Sequence, residues 1–377
     1  MDCVTQGLLQ QGHDVRVLSF CSDKHPVGSI DDTYRQRTRF EAVYLDLRFH
    51  VLAALLAMLD GESYHVARFE SVAFAKRLKE ILKEEQFDIV QLETVYMTPY
   101  LPLIRRHSKA RVVLRAHNVE HRIWEQVAAT TRKGLKRWYI KYLALTLNTY
   151  ELEHINDYDG VACITPLDAD FFRKAGCRRP MVSIPFGVQC TPIDNVSPEP
   201  NSLFHIGSMD WLPNQDGVCW FLREVWPLVH EQLPQLHLYL AGRKMPADLM
   251  ALRTDGVTVV GEVPDAAYFE ASKQINVVPL RSGSGIRVKI IEAMAMGKVV
   301  VTTTVGAKGI ECTDGVHLLL ADTPHDFLRQ LQRLVDNPDL CRQIGDNAQR
   351  LVNEQYGLQA LTTKLTDFYA TLLEKEC

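Results

Sequence analysis

Residues 281–297 read RSGSGIRVKIIEAMAMG. An apolar run at 275–279 leads into a Ser/Gly loop, and the loop passes straight into a helical pattern. Backbone amides at a helix N-terminus suit a phosphate, and glycines let it come close. Arg287 and Lys289 add positive charge at the end where the helix dipole already favours anions. Two cations there make sense beside a bound phosphate. Lys289 and Glu292 are three apart and share a face, which sets a phosphate donor beside a hydroxyl acceptor. A nucleoside diphosphate and its ribose would need that pair. The plainer reading is a surface helix with an internal Lys–Glu pair.

Outward from this stretch, short apolar runs alternate with helical patterns. Strands are expected at 15–20, 89–92, 112–116, 161–164 and 181–184, then at 202–207, 236–241, 257–260, 275–279, 299–303 and 317–320. Many are continuous Val/Ile/Leu runs, as in a parallel sheet covered on both faces. Each half therefore reads as a stack of βαβ units. The Pro- and Asn-bearing stretch 191–201 has no periodicity and is the expected boundary. Ligands of such sheets bind at the C-terminal ends of the strands. A final amphipathic pattern, 358–374, has Leu361, Leu365, Phe368 and Leu372 on one face and is expected to pack back across the junction. The chain opens inside a helical pattern, 3–11, followed by a turn at Gly12 and the strand 15–20. The strand and glycine turn that usually open a doubly wound domain are thus expected upstream, in roughly 20–30 further residues.

The 377 residues carry a formal net charge of -4, so no global charge points to nucleic acid. No apolar run is long enough for a membrane-spanning helix, and no cleavable leader is read at the start. Nine scattered cysteines without a C-x-x-C pair fit reduced thiols in the cytoplasm.

Several separate segments agree in order with one known family. Residues 203–207, 241–242, 257–264, 276–279 and 291–297 (IEAMAMG) together resemble the C-terminal domain of the family-four retaining glycosyltransferases of the GT-B fold. Residues 87–91, 115–118 and 185–188 carry a weaker likeness in the first half. The resemblance implies an α/β chain of two Rossmann-like doubly wound domains facing each other across a cleft. Residues 1–190 would form the acceptor-side domain, lacking its first strand, and residues 201–355 the nucleotide-sugar-binding domain. Residues 356–377 would be a C-terminal helix packing back on the first domain. It implies a hexosyltransferase-type enzyme that moves a sugar, with retention, from a nucleotide diphosphate sugar to a glycan or lipid-linked acceptor, as in polysaccharide biosynthesis. Neither a cofactor nor a metal is expected.

The resemblance also places residues. Glu292 falls on the second glutamate of the family's E-x7-E motif, which binds the ribose. Val263 and Pro264 fall where the nucleobase meets the backbone, and His117 on the active-site histidine. Gly207, Ser208, Ser284, Gly285, Ile286, Arg287 and Lys289 complete the donor loops. Two positions depart from the pattern. Ser284 replaces the first glutamate, and Ser208 the usual phosphate-binding arginine. Arg287 and Lys289 are near enough to supply the cations instead, as in a subgroup with a G-x-R-x-K-x-x-E pattern.

Other motifs have two readings. HNVEH at 117–121 also fits the H-x-x-E-H zinc signature, but His117 directly follows a strand, so the two histidines are not expected to share a helical turn. A helix-start histidine satisfied by its neighbours is a third reading. Asp168 and Asp170 resemble a D-x-D metal motif and read more simply as first-turn helix residues. Glu93 ends a strand, where it would contact acceptor or sugar, or else be a solvated loop charge. The basic stretches 105–115 and 131–141, the second with Trp138 and Tyr139, suit an anionic membrane surface or a solvated face. Peripheral contact with the inner face of a membrane is the resulting expectation. Rival functions are a non-catalytic sugar-nucleotide-binding protein and a nucleotide-sugar epimerase of the same fold.

Overall fold

The structure, a computed structural model, describes residues 2–23, 26–28, 30–48, 50–188, 196–283 and 285–374. It divides into two compact units. One is Met1–Pro185 with Leu361–Cys377, the other Phe186–Ala360. The expected boundary at 191–201 falls partly on residues outside those described, as does Ser284.

In the first unit the strands are β1 (Leu18–Cys21), β2 (Glu41–Tyr44), β3 (Ile89–Glu93), β4 (Arg111–Ala116), β5 (Gly160–Cys163) and β6 (Met181–Ser183). β1 and β2 pair with each other, and β3-β4-β5-β6 form a separate sheet in chain order. All these pairs are parallel. One face of the four-stranded sheet meets helices Val72–Glu84, Leu101–His107 and Pro166–Lys174 through Phe74, Leu82, Ile104 and Phe172. The other face, with Val113, Ala162 and Ile184, is covered by helix Asp2–Gln10 through Val4 and by the final helix, Leu358–Leu373, through Leu361, Leu365, Phe368 and Leu372. That helix lies close. A Cβ on Gly160 would come within 2.8 Å of the Phe368 and Leu372 side chains.

The second unit is one parallel sheet of β7 (Ser202–Ile206), β8 (His237–Ala241), β9 (Val257–Gly261), β10 (Ile275–Val278), β11 (Val299–Thr302) and β12 (Leu319–Leu320). The strand order is β12-β11-β10-β7-β8-β9. β10 and β11 are buried along their whole length, which explains the apolar run Val299–Val301 and, but for Asn276, that of β10. On one face, helices Leu212–Trp220, Trp226–Gln232 and Pro324–Asp336 pack on Leu203, Leu238, Val277 and Val301. On the other, helices Ala266–Ala271, Val288–Ala295 and Pro338–Gln355 pack on Phe204, Ala241, Val278 and Val300. The order reverses between β7 and β10. At such a switch point the connecting loops part and leave a crevice beyond the strand ends.

Every expected strand is present with small shifts at its ends, and β2 is an addition. β2 begins at a glutamate and alternates half-buried with exposed residues, so it lacks the apolar run that marks the others.

Candidate active site

In the first unit, β3 and β4 lie in register with Glu93 opposite Arg115. Their ends bring Glu93 to His117, whose Nε2 is 2.6 Å from Glu93 Oε2. Gln91, two residues back on the same side of β3, donates from Nε2 to Glu93 Oε1 at 2.6 Å. The Tyr369 hydroxyl of the final helix donates to Gln91 Oε1. A hydrogen-bonded chain therefore runs from the last helix to His117. Arg115 is 2% exposed, and its Nε lies 3.9 Å from Glu93 Oε2. Burial works to raise the Glu93 pKa, but the His117 hydrogen bond and the Arg115 charge outweigh it and hold the carboxyl below its usual range. An ionised Glu93 orients the imidazole by accepting from Nε2–H, which puts the neutral ring's lone pair on Nδ1. Thr94 follows at φ 95°, a conformation that favours glycine, and its N–H donates to the Arg115 carbonyl at 3.1 Å.

The rest of the HNVEH segment turns to a second carboxylate, Glu151, and to Tyr96. Helix Glu120–Thr130 starts after His117. His121 Nδ1 lies 2.6 Å from Glu151 Oε2, and both groups are buried. Glu151 also accepts from the backbone N–H of Glu120 at 3.2 Å and of His121 at 3.5 Å, so a carboxylate from the neighbouring helix caps this one. Glu120 accepts from the Tyr96 hydroxyl at 3.0 Å, and burial raises its pKa. Asp168 gives its backbone N–H to the Thr165 cap, while Asp170 pairs with Arg173.

In the basic stretch 105–115, Arg106 and Lys109 are exposed, and the other three cations have an acidic partner or are buried. Arg105 holds Asp159 at 2.7 Å, Arg111 lies 4.0 Å from the same carboxylate, and Arg115 is buried in β4. Arginines interspersed through a strand and its approach read as a cluster in sequence. β4 buries Arg115, and the distant Asp159 pairs with Arg105 and draws in Arg111. In 131–141, by contrast, Arg132, Lys133, Lys136 and Lys141 are exposed, with Leu135 and Trp138.

In the second unit, the C-terminal ends of β7, β8 and β9 bring Gly207, Gly242 and Gly261 together. Gly207 N–H donates to the Ala241 carbonyl, and Gly242 N–H to the Gly261 carbonyl. A Cβ on Gly242, whose φ is 147°, would lie 1.8 Å from the Gly207 oxygen. Only glycine allows that approach. Ser208 donates to Asp210 at 2.5 Å, and Asp210 also takes Lys244 at 2.8 Å. Val263 and Pro264, after β9, line an open apolar hollow with Tyr239, Val260, Tyr268 and Phe269.

Across the switch point, Gly283 and Gly285 at φ 118° and 78° lead into helix Val288–Ala295, and Ile286 packs into the core beneath. Arg287, 6% exposed, stands just before that helix with its guanidinium 5.1 Å from the Trp211 ring centroid. Lys289 Nζ donates to Asn214 Oδ1 at 2.8 Å and lies 3.4 Å from His205 Nε2. His205 Nδ1 donates to the Val277 carbonyl at 2.8 Å, which leaves Nε2 as the acceptor for Lys289. Burial, reinforced by the Arg287 charge, pushes the Lys289 pKa down to about 7. Glu292, one turn along the helix, is half-buried, and burial raises its pKa. The unit thus sets Gly207 beside Lys289, on the helix start that also carries Arg287 and Glu292. Asn214, His205 and Trp211 escaped the sequence reading. His205 had one signal, a polar residue inside an otherwise buried strand.

Comparison with known proteins gives consistent results. The model for Glycosyltransferase Family 4 matches residues 3–191, and that for Glycosyl transferases group 1 matches residues 200–337. A 44.6 kDa protein in the cps region of Klebsiella pneumoniae is 22% identical over 363 residues, covering 93% of this chain and 89% of that protein. Sucrose-phosphate synthase from Thermosynechococcus elongatus superposes with a TM-score of 0.66 at 16% identity, over 99% of this chain and 92% of that one. HepE from Anabaena, solved with UDP and glucose, gives 0.61 at 13% identity over 98% and 95%. A glycosyltransferase from Rickettsia africae gives 0.61 at 14% over 100% and 94%. These likenesses show the GT-B fold. With one family model spanning half of its length and a second, related one most of the remainder, the chain belongs to the family-four, group 1 glycosyltransferases.

Proposed function

We propose that this glycosyltransferase moves a sugar from a nucleotide diphosphate sugar to a glycan or lipid-linked acceptor, with retention and without a metal. One observation carries the reading. A buried arginine, Arg287, and a half-buried lysine, Lys289, stand at the N-terminus of a helix whose next turn bears Glu292. Cations held away from water cost stability unless an anion joins them. A diphosphate supplies that anion, and Glu292 accepts from its ribose. HepE was solved with UDP and glucose, which supports this donor class.

Cleaving the sugar–phosphate bond builds negative charge on the diphosphate and positive charge on the sugar. Arg287, Lys289 and the helix amides stabilise the leaving group where the local dielectric is low. The C1–oxygen bond to the diphosphate breaks, and the acceptor oxygen bonds to C1 on the same face. Its proton passes to the departing phosphate oxygen. Gly207, Ser208, Ser284 and Gly285 contact the diphosphate as well. Val263 and Pro264 meet the base. His117, fixed by Glu93, hydrogen-bonds the transferred sugar.

The exposed cations of 131–141, with Leu135 and Trp138, support peripheral contact with an anionic membrane on the cytoplasmic side. The described cysteines are free thiols, in keeping with a reducing compartment. The location of the Klebsiella relative's gene in a cps region supports a role in polysaccharide biosynthesis.

The test is a thermal-shift screen of nucleoside diphosphates and their sugars, followed by transfer assays with the best donor. A ligand at about 100 times its dissociation constant adds roughly 2.7 kcal/mol. Product NMR should show the donor's anomeric configuration, and transfer should survive EDTA. An inverted product, or activity restored only by a divalent ion, refutes the mechanism. An altered sugar nucleotide formed without acceptor would indicate an epimerase. Binding without turnover would leave a non-catalytic binder.

A further inference from the structure

Beneath the 288–295 helix lies a group of buried polar side chains that the reading above does not use. Glu270, near the end of helix Ala266–Ala271, is 5% exposed, and its Oε2 has no hydrogen-bond partner among the described residues. Asn276, on β10, is 1% exposed, and both of its side-chain polar atoms are in the same position. Ile275 and Val277 face the opposite core, so alternation turns Asn276 to the face that carries both helices. There it lies in register with Phe204, whose ring meets Phe269 edge-on at 6.0 Å. Glu270 is the next residue after Phe269.

The charged groups acting on Glu270 are Glu292 and Lys289 of the 288–295 helix and Lys298 before β11. Neither ammonium takes its Oε2. Lys298 donates to the Ala271 and Lys273 carbonyls, each at 2.7 Å, and so caps the end of Glu270's own helix. Lys289 is engaged with Asn214 and His205. Glu270 is left as a buried carboxyl within electrostatic reach of a second carboxyl, Glu292, whose own pKa burial raises. Two acids in one desolvated space do not both ionise.

We propose that Glu270 is a positioning residue for the donor site, acting as a neutral acid behind Glu292 so that the pair's single negative charge stays on Glu292, where a ribose hydroxyl can donate to it. The proposal rests on the donor-site reading of Glu292. Burial first, then the Glu292 charge, raise the Glu270 pKa to about 8, which keeps its proton in place at neutral pH. Above that pH the pair carries two charges, and Glu292 is driven from its place toward water.

The experiment is calorimetric titration of the whole chain with UDP, GDP and ADP between pH 6.5 and 9.5, wild type against Glu270→Gln. Glutamine keeps the shape and a neutral donor but cannot ionise. Lys289 loses charge in both proteins, so the ratio of affinities isolates Glu270. At pH 6.5 the two should agree within about twofold. By pH 9.5 the wild type should have lost roughly tenfold relative to the variant, one pKa unit's worth of coupling. Coincident profiles overturn this proposal and leave the donor site standing. If no nucleotide binds either folded protein at any pH, the donor-site reading falls and takes the proposal with it. If Glu270→Gln does not fold, carbon NMR of glutamate-labelled wild type decides. A carboxyl still protonated at pH 7, whose titration moves upward when nucleotide is added, is expected. Full ionisation of every glutamate at that pH overturns the proposal.

Discussion

Lys289 is held in a place that opposes its own charge. Burial and Arg287 lower its pKa to about 7, against an ordinary lysine value of 10.5. Between those values the unfolded chain binds more protons than the folded one, so stability rises with pH through that window. Below it the penalty is in full force. Lys289→Met should therefore raise the melting temperature at pH 6.5, with the gain shrinking as the pH approaches 10. The same variant should bind nucleoside diphosphate more weakly. An unchanged or lower melting temperature at pH 6.5 contradicts the account. Glu292→Ala is expected to weaken nucleotide binding by about 1–3 kcal/mol, the range for a hydrogen bond lost from a buried partner. Calorimetry on the folded variant checks it, and unchanged affinity removes Glu292 from the site. At this scale the sequence was legible where chemistry was contiguous. Arg287, Lys289 and Glu292 stand within six residues of a glycine-bearing loop. His205 and Glu270 are single polar residues beside apolar ones, and Asn214 sits in an ordinary polar helix start, LPNQD. What makes them matter is which strand ends lie beside them, and that is a property of the sheet order.

Among the elements, the strand ends of the second unit depend on one contact between backbones. Gly242 sits at φ 147° against the Gly207 oxygen. Gly242→Ala should destabilise by about 3 kcal/mol or more, because backbone on both sides leaves the methyl nowhere to go. Gly28→Ala, where an added Cβ meets nothing within 4 Å, should stay within about 0.5 kcal/mol of wild type. Urea denaturation of both variants makes the comparison, and equal midpoints would contradict the contact. Buried parallel strands announce themselves as apolar runs, which is why β10 and β11 were plain in the sequence. Edge strand β2 and the Glu151 cap were not. The first lacks such a run, and the second acts on a helix whose start is some thirty residues away.

For the whole molecule, the final helix belongs to the first unit, although the second intervenes in the chain. Leu361, Leu365, Phe368 and Leu372 cover one face of its sheet. Truncation after Gly357 should destabilise the first unit while sparing the second. Limited proteolysis should then cut within 1–185 sooner and leave a fragment of the second unit intact. Equal resistance in both proteins would contradict it. Truncation would also remove Tyr369 from the chain that reaches Glu93 and His117. The same arrangement sets an order in time. A ribosome adds about 5–20 residues each second, and a domain usually folds as soon as its own sequence has emerged. Here the first unit leaves the exit tunnel with one face of its sheet covered only by helix Asp2–Gln10. It must wait, apolar side outward, until the whole second unit has been translated. The half of the enzyme made first is the half finished last, and through that interval it is the natural client of a chaperone.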